Sequence, residues 1–475
     1  MITIAISVLF LAAFLVLVLK KDMIAISAIV FSFFFLIFIY LAPETMVFAF
    51  SGWNPPFGIV WVLDGLGLFM ALLITGIMSL TAIYSVKYIK KRKHRYYTLL
   101  CLLTIGLLGI SLTGDIFNMY VFFELMSVSS YALVAFLLNK ESTEAAFKYL
   151  VVGSLSSSFL LLGIAMLYGL AGTLNMADLA TKVYGGPAFL VVLGLILGGL
   201  SLKSAIVPFH FWLPDVHPAA PSPVSALLSS VIVGSGVYMM IRVIFTVFGI
   251  VSVFWMLILL GLVTMILGGL MALIQKDAKR LIAYSTVSQI GYIFVAIGIG
   301  TSLGVTAGLF HLLNNILLKS LLFMSFGIVL WHTGTRDMNR LGGIGKQMPW
   351  VAFCFGVGAL GTAGVPPLNG FASKWLIYMA TWQVSPVITA IAIIVSAITM
   401  AYYIKVFSCI FMGHSNIKIV NKTPKMMLIP VIIITIMCIV IGIFPQIGIM
   451  FVEPATNALL NQSQYINAVL GGSVI

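Results

Sequence analysis

About fourteen apolar runs, each long enough to cross a lipid bilayer, leave this chain few folds to choose from. They cover residues 1–19, 23–42, 60–86, 97–113, 116–138, 146–170, 187–216, 223–247, 250–275, 281–300, 303–331, 350–379, 384–411 and 426–448. A helical crossing needs about 20 such residues. Lipid offers no water to the backbone, so only helices and closed barrels span it. Charged residues make up 8% of the 475, against about 25% in soluble domains. The expectation is an all-α integral membrane protein with about fourteen transmembrane helices. The first run leads straight into a second, so no cleavable leader is expected.

A formal net charge of +13 would suggest nucleic acid in a soluble protein. Its placement here argues for orientation instead. Most of the 25 basic residues stand in every second loop: Lys20 and Lys21; the KYIKKRKHR cluster at 87–95; Lys140 and Lys148; Lys276, Lys279 and Arg280; Arg336, Arg340 and Lys346; Lys418, Lys422 and Lys425. Such asymmetry marks the cytoplasmic side of the cell membrane and puts both termini outside. No nucleic-acid partner is expected. The four cysteines (Cys101, Cys354, Cys409, Cys438) lie singly within apolar runs and match no metal or disulfide spacing. No phosphate-binding glycine loop, nucleophile elbow, haem or iron–sulfur ligand set appears, so no cofactor, no metal and no catalytic residue is expected in this chain.

Three patches recur. GTLNMADL at Gly172 returns as GTRDMNRL at Gly334, YMMIRV (238–243) as AYYIKV (401–406), and VPFHFWLP (207–214) as VPPLNGFAS (365–373). Each pair lies about 160 residues apart, the mark of two copies of a five-helix unit. The first GT patch falls on the sparsely charged side and the second on the basic side, so the copies are inverted. Inverted repeats with interrupted helices are a transporter signature, with the ion path near the break. The expected organisation is 1–96, an N-terminal three-helix segment; 97–247, the first repeat; 251–411, the inverted second repeat; and 412–475, a C-terminal helix and tail.

The interruption LKSAIVPFHFWLPDVHPAAPSPVSALLSS (202–230) holds five prolines, two histidines, a lysine and an aspartate. Proline removes an amide donor and kinks a helix, and broken backbone at bilayer depth is tolerated only against protein or water. A wet gap inside the bundle is the expected result. Glu124, Lys203, Lys319 and Lys374 also stand well inside apolar runs. Each costs about 2.5–3.5 kcal/mol at a helix centre, which is too much for decoration. A buried lysine with a movable carboxylate partner is a proton site that loads and unloads near neutral pH. Blander readings suit other residues. Lys405 and Arg242 snorkel near helix ends, Lys148 pairs with Glu144 one turn away, and Asp64 and Asp115 cap helices. His210 and His217 partner the freed carbonyls of the break.

FFELMSVSSYALVAF (122–136), EAAFKYLVVGSLSSSFLLLGI (144–164), the 202–229 stretch, DAKRLIAYSTVSQIGYI (277–293), FHLLNNILLKSLLF (310–323), TGTRDMNRLGGI (333–344) and PPLNGFASKW (366–375) resemble the antiporter-like subunits of respiratory complex I, membrane-bound hydrogenases and Mrp-type cation/proton antiporters. The resemblance implies fourteen helices, two inverted five-helix repeats and two broken helices. It implies that Glu124 is the family's glutamate, Lys203 its paired lysine, Lys319 a central-axis lysine, and Lys374 the lysine of the second broken helix at the exit half-channel. His311 matches the first histidine of the family motif on the Lys319 helix. Two positions depart from the pattern: Gly234 stands where a central lysine is usual, and Asn315 where a second histidine is usual. Either waters held by Ser229, Ser230, Ser235 and Tyr238 bridge that gap, or this copy is degenerate.

The resemblance implies a proton-translocating subunit of a larger redox-driven complex, hydrogenase- or complex I-related. Its partners are other membrane subunits and a peripheral redox module bound elsewhere, and protons with or without Na⁺ are the cargo. The alternatives are a subunit of a multi-component Na⁺/H⁺ antiporter, and a structural membrane subunit without transport.

Overall fold

The computed structural model describes residues 2–41, 45–183, 186–249, 254–414, 417, 419 and 422–471. Lys418, placed above in a basic loop, lies outside them, as do 251–253 at the start of the expected second repeat. Helices α1 (Ile2–Leu19) and α2 (Asp22–Tyr40) turn at Lys20 and Lys21. A short antiparallel hairpin follows, β1 (Met46–Ala49) on β2 (Val60–Leu63), with Met46 opposite Leu63. Here the apolar run at 60–86 differs from expectation. Its first residues, Val-Trp-Val-Leu, are mostly β-branched or aromatic and pair as a strand. The helix α3 (Gly65–Tyr88) starts only where Asp64 accepts the Gly67 amide at 2.8 Å, as an N-cap does.

The next elements are α4 (Lys93–Leu112), α5 (Ile116–Val134), α6 (Lys140–Ala171), α7 (Met176–Lys182) and α8 (Pro187–Lys203). The expected break then appears, with short α9 (Leu213–Ala219) and α10 (Ser222–Leu227). A π-helical stretch (228–232) leads into α11 (Val233–Arg242), and a second (243–248) leads out of it. After that come α12 (Phe254–Ile274), α13 (Ala278–Ile297), α14 (Ser302–Thr333), α15 (Ile344–Gln347) and α16 (Pro349–Ala363). A second break at 364–368 separates α16 from α17 (Asn369–Val384), which α18 (Pro386–Phe411) follows.

The two stretches use the same local devices. Asp115 caps α5 and Asp277 caps α13. The 32-residue helices α6 and α14 end at Gly172 (φ 69°) and Gly334 (φ 68°), the left-handed geometry that glycine adopts without penalty. Asp115 pairs through its backbone with Asn175, and Asp277 with Asp337. Both GT patches thus begin at the glycine that stops a long helix.

The C-terminal region departs from the expected single helix and tail. After α19 (Lys425–Ile443) the chain forms α20 (Pro445–Leu460) and α21 (Gln462–Leu470). Pro454, Asn457 and Asn461 hide these from an apolar-run search, yet α20 packs on α2 and α3: Phe451 lies 5.6 Å from Tyr40 and 5.4 Å from Phe69, ring to ring.

Among the described residues, eleven helices are long and apolar enough to cross a membrane, and three shorter apolar helices (Thr3–Leu19, Pro187–Lys203, Pro349–Ala363) accompany them. Their burial is graded. An 18-residue stretch of 222–248 and one of α14 are fully covered by protein, whereas that of α6 is one-third covered, so the first two lie in the interior of the bundle. Close approach of α12 to α13 depends on missing side chains: a Cβ on Gly268 of α12 would sit 2.5 Å from the Ser288 amide, and one on Gly291 of α13 would sit 2.4 Å from the Met265 amide. Small residues at helix contacts are how membrane bundles gain van der Waals contact.

Arg242 does not snorkel. It is buried, with both guanidinium nitrogens on Asp64 at 2.5 and 2.6 Å and Tyr238 accepting at 3.1 Å. The pair ties the start of α3 to the end of α11. Replacing Asp64 with Asn keeps the cap but strands a buried guanidinium, a loss on the order of 3–5 kcal/mol. Thermal unfolding of purified D64N should show it, and adding Arg242→Met should recover part of the loss. Unchanged melting in D64N would remove the pair from the interactions that hold the fold.

Candidate functional site

Several backbone groups freed at the first break find partners. The Val207 amide donates to Thr264 Oγ1 at 3.1 Å, the Ile206 amide to the Ser201 carbonyl at 3.1 Å, and the Trp212 indole to the Leu202 carbonyl at 2.8 Å. The last residue of α8 is Lys203, 2% exposed. Its ammonium donates to Tyr149 Oη on α6 at 2.9 Å and to Ser127 Oγ on α5 at 3.1 Å. The rings of Tyr149, Phe123 and Tyr131 lie 4.9, 5.5 and 5.6 Å from Nζ. Glu124 is half-buried, one turn before Ser127, and one of its carboxylate oxygens is buried with no hydrogen-bond partner. The expected direct pair is not closed: among the described residues, no carboxylate lies within 4.0 Å of Lys203.

Lys319, in the middle of α14, is fully buried. It donates to Ser285 on α13, and to Tyr403 Oη on α18 at 3.3 Å; Ser285 and Tyr403 are themselves 2.8 Å apart. His311 precedes Lys319 by eight residues, about 12 Å along the helix. Its two ring nitrogens meet Ser373 Oγ at 2.9 Å and Gln289 Oε1 at 3.2 Å. Ser373 adjoins Lys374, whose Nζ donates to Ser396 Oγ at 2.8 Å and to the Ala363 carbonyl of the second break at 3.3 Å. Tyr292 offers its face at 4.7 Å. His311 therefore reaches, through Ser373, the residue next to Lys374, while sharing a helix with Lys319. Asn314 and Asn369 bond each other across the same break, the Asn314 amide also donating to the Asn369 carbonyl.

Apolar side chains line the space beside Gly234. A Cβ on Gly234 would make ordinary contact with Ile316, Met70 and Leu312 at 3.4–3.6 Å, so apolar tips already fill the space beside it. Ser230 and Ser235 donate to their own helix, Ser229 is bonded to Thr286 at 2.6 Å, and Tyr238 donates to the Ser111 carbonyl at 2.8 Å beside Arg242. These four form no continuous chain. Asn315 is buried, with neither amide atom bonded.

The two histidines differ: His210 keeps a hydrogen bond to the backbone of Pro208 in the break, as expected, whereas His217 partners no freed carbonyl. His217 is fully buried, stacked 4.6 Å from Phe323, with both ring nitrogens unpartnered; His210 is half-buried, with Nδ1 unpartnered. Lys148 makes the surface pair with Glu144, at 2.9 Å. Lys405 donates to the carbonyls of Leu273 and Gln275 at 2.8 and 3.0 Å, closing the end of α12. Sequence reasoning missed Lys279. Counted with a cytoplasmic loop, it is fully buried and donates to the Ala220 carbonyl at 2.7 Å, Ser225 Oγ at 3.1 Å and the His217 carbonyl at 3.4 Å. It lies in the first turn of α13, and only the fold places α9 over it. Among the described residues no group of three metal-ligating side chains occurs.

Comparison with known proteins gives consistent matches. The family described as NADH:quinone oxidoreductase/Mrp antiporter, transmembrane, matches residues 113–399. The N-type subunit of the NADH-quinone oxidoreductase of Desulforudis audaxviator is 34% identical over 83% of this chain and 84% of its own length. The D-type subunit of the Na⁺/H⁺ antiporter of Alkalihalophilus pseudofirmus is 32% identical over 92% and 91%. Among solved structures, a chain of the membrane-bound sulfane sulfur reductase, an archaeal respiratory membrane complex, superposes with a TM-score of 0.93 at 32% identity, covering 99% of both chains.

The packing at Gly234 yields a test. Gly234→Ala should change stability by less than about 1 kcal/mol, since its methyl meets only ordinary contacts. Gly234→Lys should lower the yield of folded protein, because an ammonium would be driven among Ile316, Leu312 and Met70. Chromatography of the two variants measures this. Normal yield of the lysine variant would mean that the central gap opens readily to water.

Proposed function

The chain belongs to the NADH:quinone oxidoreductase/Mrp antiporter transmembrane family, and from that premise we propose that it is the proton-translocating, antiporter-like membrane subunit of a larger redox-driven ion-pumping complex. One observation carries the proposal: Lys203, Lys319 and Lys374 are all buried, and no carboxylate among the described residues lies within 4.0 Å of any of them. A buried charge without a partner is strongly destabilising, so these groups are tolerated because their charge is exchangeable. Glu124, one turn from Ser127, is the movable carboxylate for Lys203. His311 passes a proton between Lys319 and Lys374, and Lys374 releases it beside the second break.

Fourteen membrane helices in two inverted five-helix repeats are supported by the matched caps at Asp115 and Asp277 and the matched glycine stops at Gly172 and Gly334. The loop charges support a cell-membrane protein with both termini outside. Other membrane subunits are the natural partners. On the outside of the bundle Glu124 is half-exposed and Ser154 and Ser158 are exposed, and polar groups at bilayer depth face protein or water rather than lipid. The redox module is peripheral and held elsewhere. Similarity to the Alkalihalophilus pseudofirmus antiporter chain supports a second reading, an Mrp-type antiporter component moving Na⁺ and H⁺ through the same residues. The apolar contacts around Gly234 favour a third, a structural subunit whose path is closed.

Transport per assembled complex separates the path from its absence. Lys374→Ala should reduce it at least tenfold, and Lys374→Arg nearly as far, because arginine hardly deprotonates. Activity that falls only in step with assembly would support the structural reading. Glu124→Gln should likewise stop coupled transport while the complex still assembles; normal pumping by that variant would remove the glutamate from the mechanism.

A further inference from the structure

The three membrane-embedded lysines share an environment that a relay by itself does not demand. Each ammonium donates to one serine hydroxyl and faces at least one tyrosine ring, Lys203 also having the Tyr131 and Phe123 rings within 5.6 Å. Lys203 has Ser127 at 3.1 Å and the Tyr149 ring at 4.9 Å. Lys319 has Ser285 and the Tyr403 ring at 5.8 Å. Lys374 has Ser396 at 2.8 Å and the Tyr292 ring at 4.7 Å. The phenol oxygens complete the enclosure: Tyr149 and Tyr403 accept from their lysines at 2.9 and 3.3 Å, and Tyr292 reaches Ser396 at 3.3 Å. The cage residues come from α5, α6, α13 and α18, so no local motif produces them.

Two other buried cations show that the fold has different solutions available. Arg242 receives a bidentate carboxylate from Asp64. Lys279 receives backbone carbonyls and Ser225, with no ring over it among the described residues.

We infer that the serine–tyrosine cages set how readily each lysine takes up and releases its proton, with Tyr149, Tyr403 and Tyr292 acting as positioning residues. The inference rests on the relay proposed above. A tyrosine face attracts a cation through its quadrupole, and a hydroxyl oxygen accepts from the ammonium. Neither carries charge, so the protonated lysine is supported without being fixed as a carboxylate would fix it. When the amine is neutral, its lone pair accepts, and the same hydroxyl turns to donate. One cage thus serves both states. The titratable groups facing Lys203 are Glu124 and Tyr131 on α5 and Tyr149 on α6; α11, packed against α8, turns Gly236 toward it. Around Lys319 stand Tyr402 and Tyr403 on α18, Lys374 on α17, His311 on its own helix and His217 on α9.

The test uses the intact complex in proteoliposomes and measures proton transport per assembled complex against pH. Tyr149→Phe and Tyr403→Phe keep the ring and remove the hydroxyl, and Lys203→Ala is the reference. Each phenylalanine variant should retain transport but move the alkaline limb of its profile about one pH unit toward acid, the tenfold effect of losing one hydrogen bond to a charged group. Tyr149→Leu, which also removes the ring, should move it further. If Lys203→Ala abolishes transport while both phenylalanine variants keep the wild-type profile, the cage role is overturned and the relay stands. Equal loss at every pH in the phenylalanine variants also overturns it, since that is a packing defect. Normal transport by Lys203→Ala overturns the relay itself. Tyr149 also stacks on Trp212 at 4.4 Å, so if Tyr149→Phe fails to assemble, Tyr403→Phe decides.

Discussion

A polar group buried inside a bilayer-spanning bundle needs a partner within the protein or a path to water, and the two breaks show how this fold supplies partners to freed backbone. At the first break, where prolines cost the chain its helical ladder, the freed amides find Thr264 and Ser201 and the freed Leu202 carbonyl finds the Trp212 indole. At the second, Ala363 gives its carbonyl to Lys374, and Asn314 reaches the Asn369 carbonyl. Broken backbone survives at this depth because protein surrounds it. The breaks in turn hold the lysines: Lys203 ends the helix before one, and Lys374 lies in the helix after the other.

The buried cations divide into two kinds by partner. Arg242 is neutralised by Asp64, and that pair clamps α3 to α11. Its charge is permanent and its task is structural. Lys203, Lys319 and Lys374 have hydroxyls and aromatic faces instead. Under the proposed function these are the groups whose charge changes during turnover. His311 is bonded through its ring nitrogens to Ser373 and Gln289. Gly234 faces apolar side chains, and the Asn315 amide is buried without a partner.

The apolar runs and loop charges made the membrane class legible, because a 20-residue apolar stretch has no other stable home. Both breaks were legible too, since proline and glycine act on the backbone locally. The helices α20 and α21 were not. Their polar faces and Pro454 break the apolar signal; α20 packs on α3 and α14, and α21 on α7. The strand at Val60 was hidden inside a run read as helix, because an apolar run by itself does not separate the two.

By itself, then, the sequence determined which charges had to be buried: Lys203, Lys319 and Lys374 stand well inside their apolar runs, away from water. It did not determine what surrounds them. Arg242 and Lys279 lie nearer helix ends, where snorkelling and burial read alike, and only the placement of Asp64 and of α9 over them decided for burial. Tyr149 meets Lys203, and Tyr403 meets Lys319, across more than fifty residues of chain. Partners so distant along the sequence leave no local pattern; they become neighbours only when the helices pack, which is why the lysines could be named from the sequence and their cages could not.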